Sequence, residues 1–265
     1  MSGVSFRPAE SDDACAIIDL ATHGFAEERR ALFVYACTGA EAFVRGHIAL
    51  PPALAERRYA IAEGATGDVI GVVDLVRAAH VLHLAYIAVA PAARGLRLAP
   101  QLLQYALQHC SAPANTLQLD VFTDNERAAR WYDRLGFETT SETAWFRAEP
   151  RPASDTRGSS AYVTGLPAAD AVHARFGFSQ FTVQTPSAGY TVGRIGARWF
   201  RLTDAAALDD PDVRAALHSL DPQRGLLVLA PAESNVGERG FVRIATSHRR
   251  RTSLAALINR LEQNA

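Results

Sequence analysis

Ile87-Ala88-Val89-Ala90-Pro91-Ala92-Ala93-Arg94-Gly95-Leu96-Arg97-Leu98-Ala99 joins an apolar strand to an amphipathic helix through a turn of small residues and two arginines. The first N–H groups of a helix have no partner inside it, and the helix dipole favours negative charge there. A diphosphate can therefore be seated at such a turn by backbone alone. Gly95 and Ala99 leave room for close approach, and Arg94 and Arg97 add fixed positive charge beside the cradle. A solvated basic turn is the alternative reading of the two arginines.

On the helix side, Ala99, Leu102, Leu103, Ala106, Leu107 and Cys110 recur at the spacing of one helix face, predicting a helix over 98–110. Pro100 is compatible with it because it falls in the first turn. On the strand side, 81–89 is predicted as strand, preceded by a hairpin of 58–62 and 69–76. The intervening Glu63-Gly64-Ala65-Thr66-Gly67-Asp68 supplies the turn chemistry. Further back, 4–7 reads as a strand, and Ser11-Asp12-Asp13 caps a helix through 20. Residues 26–50 read as two short helices broken at Thr38-Gly39 and stopped by Pro51-Pro52.

Downstream, 117–122 is a strand candidate. A helix over 125–135 follows, with Ala128, Trp131, Tyr132 and Leu135 on one side, a Glu126/Arg130 pair on its wet face, and Gly136 at its end. Residues 137–146 continue as strand. Residues 151–160 are rich in Pro, Ser, Asp and Gly and read as a linker. The expected division is a domain over 1–148, a linker over 149–160, and a smaller α/β domain over 161–265 without a recognisable catalytic motif. In that second half, strands are expected at 178–184, 190–195, 199–202, 225–230 and 241–245, with helices at 211–220 and 253–261. The run His248-Arg249-Arg250-Arg251-Thr252-Ser253 reads as a solvated charge run, with binding of an anion or acidic partner as the alternative.

Composition narrows the classes. Hydrophobic residues at 48% and charged residues at 21% fit an ordered globular chain rather than a disordered one. A net charge of -1 argues against a general nucleic-acid coat, which needs a strongly basic surface. No lysine occurs, so Schiff-base and P-loop lysine chemistry are excluded. Cys15, Cys37 and Cys110 are widely spaced and suggest neither a disulfide framework nor a metal site. No signal-like start and no membrane-length apolar run is present, so a cytoplasmic protein without membrane or nucleic-acid partners is expected.

The strand, turn and helix around Arg94-Gly95-Leu96-Arg97-Leu98-Ala99 resemble motif A of the GNAT superfamily of N-acetyltransferases, with Arg94 and Ala99 at its first and last positions. Arg97 departs from that motif, standing where the family normally has Gly. A second segment, Asn125, Ala128, Trp131-Tyr132 and Leu135-Gly136-Phe137, is similar to the family's Asn-to-Gly-Phe segment and follows in the expected order. The resemblance spans roughly residues 4–148. It implies a mixed α/β fold, a mostly antiparallel sheet flanked by helices, with the second α/β domain added; that domain's own strands and helix admit a decayed copy of the first.

The resemblance further implies acetyl-coenzyme A as co-substrate and no metal. Ile87, Ala88 and Val89 would offer strand-edge backbone to the pantetheine arm. Arg94, Gly95, Leu96, Arg97, Leu98 and Ala99 would bind the pyrophosphate, and Asn125, with Ala128 in the same segment, would contact the cofactor arm. Asn125 is equally a helix cap, and the two roles are compatible. Tyr132 would protonate the departing thiolate.

A base for the attacking amine is less marked. His83 shares a side with Ala85, Ile87 and Val89 if their strand is unbroken, and its ordinary pKa suits the task. Asp74, Glu27 and Glu28 are the other candidates, and water is a further one. The expected activity is acyl transfer from acetyl-coenzyme A to a primary amine by direct attack in a ternary complex. The alternative is a non-catalytic acyl-coenzyme A sensor or interaction module. The acceptor is a small-molecule or peptide amine, and the C-terminal domain is expected to shape its pocket or to form a homodimer.

Overall fold

The computed structural model describes residues 3–23, 25–110, 114–150 and 160–263. In chain order the elements are β1 (Ser5–Pro8), α1 (Ala14–Thr22), α2 (Glu27–Arg30), α3 (Ala40–Ile48), β2 (Arg57–Glu63), β3 (Val69–Ala78), β4 (Val81–Val89), α4 (Leu98–Gln108), β5 (Thr116–Phe122) and α5 (Glu126–Arg134). Then follow β6 (Glu138–Ala148), β7 (Tyr162–Thr164), α6 (Leu166–Phe176), β8 (Phe178–Gln184), β9 (Gly189–Ile195), β10 (Trp199–Leu202), α7 (Pro211–Leu220), β11 (Gly225–Pro231), β12 (Val242–Ser253) and α8 (Leu254–Gln263). Two compact units result. Unit 1 comprises Met1–Phe25, Glu41–Ser141 and His248–Ala265; unit 2 comprises Ala26–Ala40 and Glu142–Ser247.

In unit 1, β1 to β4 form an antiparallel sheet, and β4 pairs in parallel with β5. A parallel pair requires a crossover, and α4 supplies it. The β2–β3 hairpin closes through Gly67 at φ 85°, with Thr66 Oγ1 donating to Asp68 Oδ2 at 2.6 Å. α4 buries Leu98, Leu102, Leu103, Ala106 and Leu107; the last four lie on the face its spacing predicted, whose Ala99 is partly buried and whose Cys110 falls beyond the helix end. At Gly71 a Cβ would lie 3.2 Å from Leu102 Cδ2, so the glycine lets α4 settle closely on β3.

The core of unit 1 gathers Val73, Leu75, Leu82, Leu84, Leu102, Leu103, Leu117 and Leu119, together with Leu257 and Leu261 of α8. A fully buried leucine contributes on the order of 1.5–3 kcal/mol. The last helix of the chain is therefore part of the first unit's core. The end of β12 lies beside β5, and Leu254 N donates to Asn115 O at 3.0 Å as the chain turns into α8.

Unit 2 repeats the arrangement. β7, α6, β8, β9, β10, α7 and β11 follow the order of β1, α1, β2, β3, β4, α4 and β5, except that α2 and α3 intervene between α1 and β2. β7 to β10 are likewise antiparallel and β10–β11 parallel. Residues 143–148 of β6 flank β11. Phe181, Val183, Val192, Phe200, Leu202, Val213, Leu217 and Val228 fill its core.

This division differs from the expected one. Residues 26–40 group with unit 2, and residues 248–265 with unit 1, so 161–265 is not one compact body. Most of the expected linker, 151–159, lies outside the described residues. The arginine run is also not a solvated segment. It is the end of β12, in which Arg250 and Thr252 are buried and Arg249 and Arg251 are exposed, the alternation of a strand. Arg250 Nη1 bonds Asp133 Oδ1 at 2.6 Å and Ala129 O at 3.0 Å.

Candidate functional site

β4 and β5 stay together for only part of their length. The parallel ladder runs from Val81↔Thr116 to Leu84↔Leu119, while β4 continues along β3 to Val89↔Gly71. Ala90 N donates to Ile70 O at 2.8 Å, which fixes the hydrogen-bonding phase of this stretch. Ala90 and Ala88 turn their backbone groups to β3, so Ile87 and Val89 turn theirs to the opposite side, where β5 has parted from the strand. Two residues of β4 thus present strand-edge N–H and C=O groups to the side from which β5 has parted, and Ala88 between them does not.

The same strand leads through a 3-10 turn, Pro91–Ala93, to the start of α4. Arg94, Gly95, Leu96 and Arg97 are exposed there. Gly95 has φ 92° and Arg97 φ 57°. Arg97 is the N-cap of α4 and makes no side-chain cap bond, so no side chain of its own helix boundary occupies the first-turn amides of Leu98 and Ala99. Pro100 adds no N–H. The residue that departs from the glycine pattern therefore adopts the left-handed backbone a glycine would supply, at a cost of about 1–2 kcal/mol.

Asn125 caps α5, its Oδ1 accepting from Ala128 N at 3.2 Å, and its amide nitrogen is left for a further acceptor. Ala128 and Trp131 pack partly buried against the unit 1 core. Gly136 ends the helix at φ 76°, and Glu126 and Arg130 pair at 2.9 Å on its exposed face. Tyr132 is buried, with Phe137 edge-on at 5.4 Å. Burial pushes its phenol well above the ordinary tyrosine value, with Arg250 opposing weakly, so the hydroxyl holds its proton at any physiological pH.

The strand carrying His83 is not unbroken. The register jumps from Leu75↔Leu84 to Asp74↔Tyr86, which leaves Ala85 as a bulge. His83 pairs with Val76 and hence shares a face with Asp74, Tyr86 and Ala88, not with Ile87 and Val89. On that face Asp74 is fully buried and bonded to Arg57 at 2.6 Å, and Asp120 Oδ2 of β5 stands 3.9 Å from His83 Nε2. Burial pushes the imidazole below its ordinary value, Asp120 acting upward and Arg249 and Arg57 downward.

Asp120 and Arg249 carried no signal in sequence, since each becomes informative only when β5 and β12 lie side by side. Of the other base candidates, Asp74 is committed to Arg57, and Glu27 belongs to unit 2. The side chain of Glu28 lies outside what the structure describes.

Unit 2 offers a control. Its counterpart of α4 is α7, whose N-cap Asp210 accepts from Asp212 N at 3.0 Å and from Thr185 and Ser187 hydroxyls at 2.7 Å each. That helix start is capped and negatively charged. The counterpart of β4 is β10, paired along its full length with β9 and with β11. Strand edge and open amides thus occur together in unit 1 and in neither respect in unit 2.

Residues 25–137 match the model of the acetyltransferase (GNAT) family. No curated protein matches the chain. Among solved structures, a GCN5-related N-acetyltransferase from Sphaerobacter thermophilus is 16% identical, with 94% of this chain and 95% of that one covered at a TM-score of 0.60. A tandem GNAT protein from the clavulanic acid biosynthesis pathway is 11% identical, with 94% and 98% covered at a TM-score of 0.64. At these identities the likeness is one of fold: a GNAT-type unit followed by a second GNAT-like unit, as the internal repeat of elements shows independently. Among the described residues no helix is long and apolar enough to cross a membrane, and no group of three metal-ligating side chains occurs.

Proposed function

We propose that unit 1 transfers an acyl group, acetyl in the first instance, from a coenzyme A thioester to a primary amine. One observation carries the reading: β4 parts from β5 beyond Leu84 and Leu119 and leads through the Pro91–Ala93 turn into a helix start without a side-chain cap. A pantetheine arm has the length and amide spacing to pair with Ile87 and Val89 as an added strand, and its diphosphate then falls at the amides of Leu98 and Ala99. Arg94 and Arg97 neutralise that diphosphate, and the amide of Asn125 donates to the cofactor arm. The match of residues 25–137 to the acetyltransferase family supports acyl transfer from coenzyme A in general.

The chemistry follows from the side chains of His83 and Tyr132. An acceptor ammonium gives one proton to Nε2 of His83, directly or through a water. The freed amine attacks the thioester carbon, and the C–N bond forms as the C–S bond breaks. The departing thiolate takes the proton of Tyr132, and the phenolate recovers one from the new amide nitrogen. His83 then returns its proton to solvent, so the products are an amide, a thiol and one proton. A phenol held in its protonated form suits the donor role, and a neutral imidazole suits the acceptor role.

Calorimetry with acetyl-coenzyme A, followed by thiol release across a panel of primary amines, tests this. Micromolar binding with thiol release on at least one amine is the expected result. Binding without turnover on any amine would identify a sensor instead, and absence of binding by folded protein would sink both readings.

A further inference from the structure

The face of unit 1 that holds His83 contains a second charged partnership, supplied from the far end of the sequence. Arg249 Nε and Nη2 grip Asp120 Oδ1 and Oδ2 at 3.0 and 2.9 Å, a two-point pair. Thr140 Oγ1 donates to Arg249 O at 3.3 Å and ties this part of β12 to β6. The Asp120 carboxylate therefore stands between two nitrogen groups: a guanidinium that it bonds through both oxygens, and the imidazole of His83 at 3.9 Å.

The surroundings of His83 leave Asp120 as the deciding anion. From β3 and β2 the charged groups are Asp74 and Arg57, which neutralise one another at 2.6 Å. From β5 the neighbours are Gln118, directly opposite, and Asp120. β4 itself adds Tyr86, and β12 adds Arg249. α1 packs on β3 and β4 and buries Ala14, Ile17 and Ala21, while its Cys15 and Asp19 are exposed. If Asp120 were not already paired, it would be the natural partner for a protonated His83. A histidine locked into such an ion pair cannot take a proton from an ammonium.

We infer that Arg249, on the last strand of the chain, is a positioning residue for the base: by holding Asp120 in a two-point pair it keeps that carboxylate from capturing His83, which therefore meets the acceptor as a neutral imidazole. The inference rests on the proposed acyl transfer for its link to turnover, and on the geometry of β4, β5 and β12 alone for its effect on His83. It also gives a reason for the crossing of β12 into unit 1 beyond packing. The strand brings the cation that sets the charge of the candidate base.

The test is an NMR titration of the His83 ring protons in full-length protein, assigned with His83→Gln, without cofactor or acceptor. In Arg249→Gln the His83 midpoint is expected to rise by roughly one unit. Arg249→Lys, which keeps the charge and the strand but loses the fork, should give a smaller rise and guards against misfolding of the first variant. In Asp120→Asn the midpoint should fall, and adding Arg249→Gln there should raise it clearly less than in the parent chain, only the direct repulsion between guanidinium and imidazole being relieved. The acidic limb of kcat/KM should move up with the titration, lowering activity about tenfold on that limb for a one-unit shift.

An unmoved His83 midpoint in both Arg249 variants overturns the inference, as does an equal rise in the Asp120→Asn background. A midpoint that moves while the kinetic limb stays overturns the link to the base but leaves acyl transfer intact, since thiol release reports on that separately.

Discussion

Arg250 on β12 and Asp133 on α5 form a 2.6 Å ion pair, and the same guanidinium nitrogen reaches Ala129 O one helical turn earlier. Asp133 is largely exposed, so the charge pair itself contributes little. The bond to the carbonyl and the buried stem of Arg250 are what matter. Arg250→Ala should therefore lower stability by about 1–3 kcal/mol, read as a drop in the thermal melting point. Cofactor affinity should change less than stability, because Arg250 bonds Asp133 and Ala129 and not Asn125.

Removing residues 248–265 should be far more damaging. The cut takes away Leu257 and Leu261, both essentially unexposed, along with the strand beside β5. Two buried leucines alone represent about 3–6 kcal/mol, against a total stability for a typical domain of about 5–15 kcal/mol. The truncated chain should show lost near-ultraviolet dichroism and no acetyl-coenzyme A binding. A well-folded, binding-competent truncation would contradict the place of α8 in the core.

Arg97 separates strain from charge. Arg97→Ala and Arg97→Gly remove the same guanidinium, so both should weaken coenzyme A binding equally and flatten its salt dependence. They differ in backbone cost, since only glycine is at ease at φ 57°. The glycine variant should be more stable than the alanine variant by about 1 kcal/mol. Equal melting points for the two would show that the left-handed conformation at this position stores no strain.

Much of unit 1 was legible because its signals are local. The α4 face, the hairpin turn, the cap at Asn125 and the stop at Gly136 each lie within a dozen residues and follow from periodicity or turn chemistry. The division into units was not legible, since β12 has almost no apolar residues between Thr246 and Ser253, and its place beside β5 is fixed by partners more than a hundred positions away. The side of His83 was misassigned for a local reason of another kind. A one-residue bulge at Ala85 reverses which neighbours share its face, and nothing about an alanine announces a bulge.

The two units should differ in binding. Calorimetry should return one acetyl-coenzyme A per chain, because α7 begins with a self-capped Asp210 and β10 leaves no edge free along its four residues. Asp210→Ala should cost about 1 kcal/mol of stability and leave cofactor affinity unchanged. A stoichiometry of two would mean that unit 2 retains a site of a kind its register does not show.

Tyr132→Phe tests the proton donor. The phenol is buried and held protonated, so the hydroxyl is the sole group lost and the ring still fills its place beside Phe137. Turnover should fall by about 10²-fold or more with little change in acetyl-coenzyme A affinity. The alkaline side of the kcat profile should show no tyrosine ionisation in the unmodified protein. An unchanged kcat in the phenylalanine variant would remove Tyr132 from the mechanism.

The N-terminal strand carries an acid-sensitive contact that can be read apart from function. Arg7 bonds both oxygens of Asp13 at 2.7 and 3.0 Å, and Glu10 N donates to the same carboxylate at 2.7 Å. Burial alone would raise the Asp13 pKa, but the Arg7 and Glu10 bonds outweigh it and hold the carboxyl below the ordinary range. A depressed folded-state value means that the native state binds fewer protons than the unfolded chain near that pH. The stabilisation is present in full above roughly pH 4, the unfolded value, and is lost as the pH falls through the lower folded value. Asp13→Asn should reduce the melting point at neutral pH and remove part of its decline below about pH 4. If the decline is as steep in the variant as in the original chain, the acid sensitivity arises from other carboxylates.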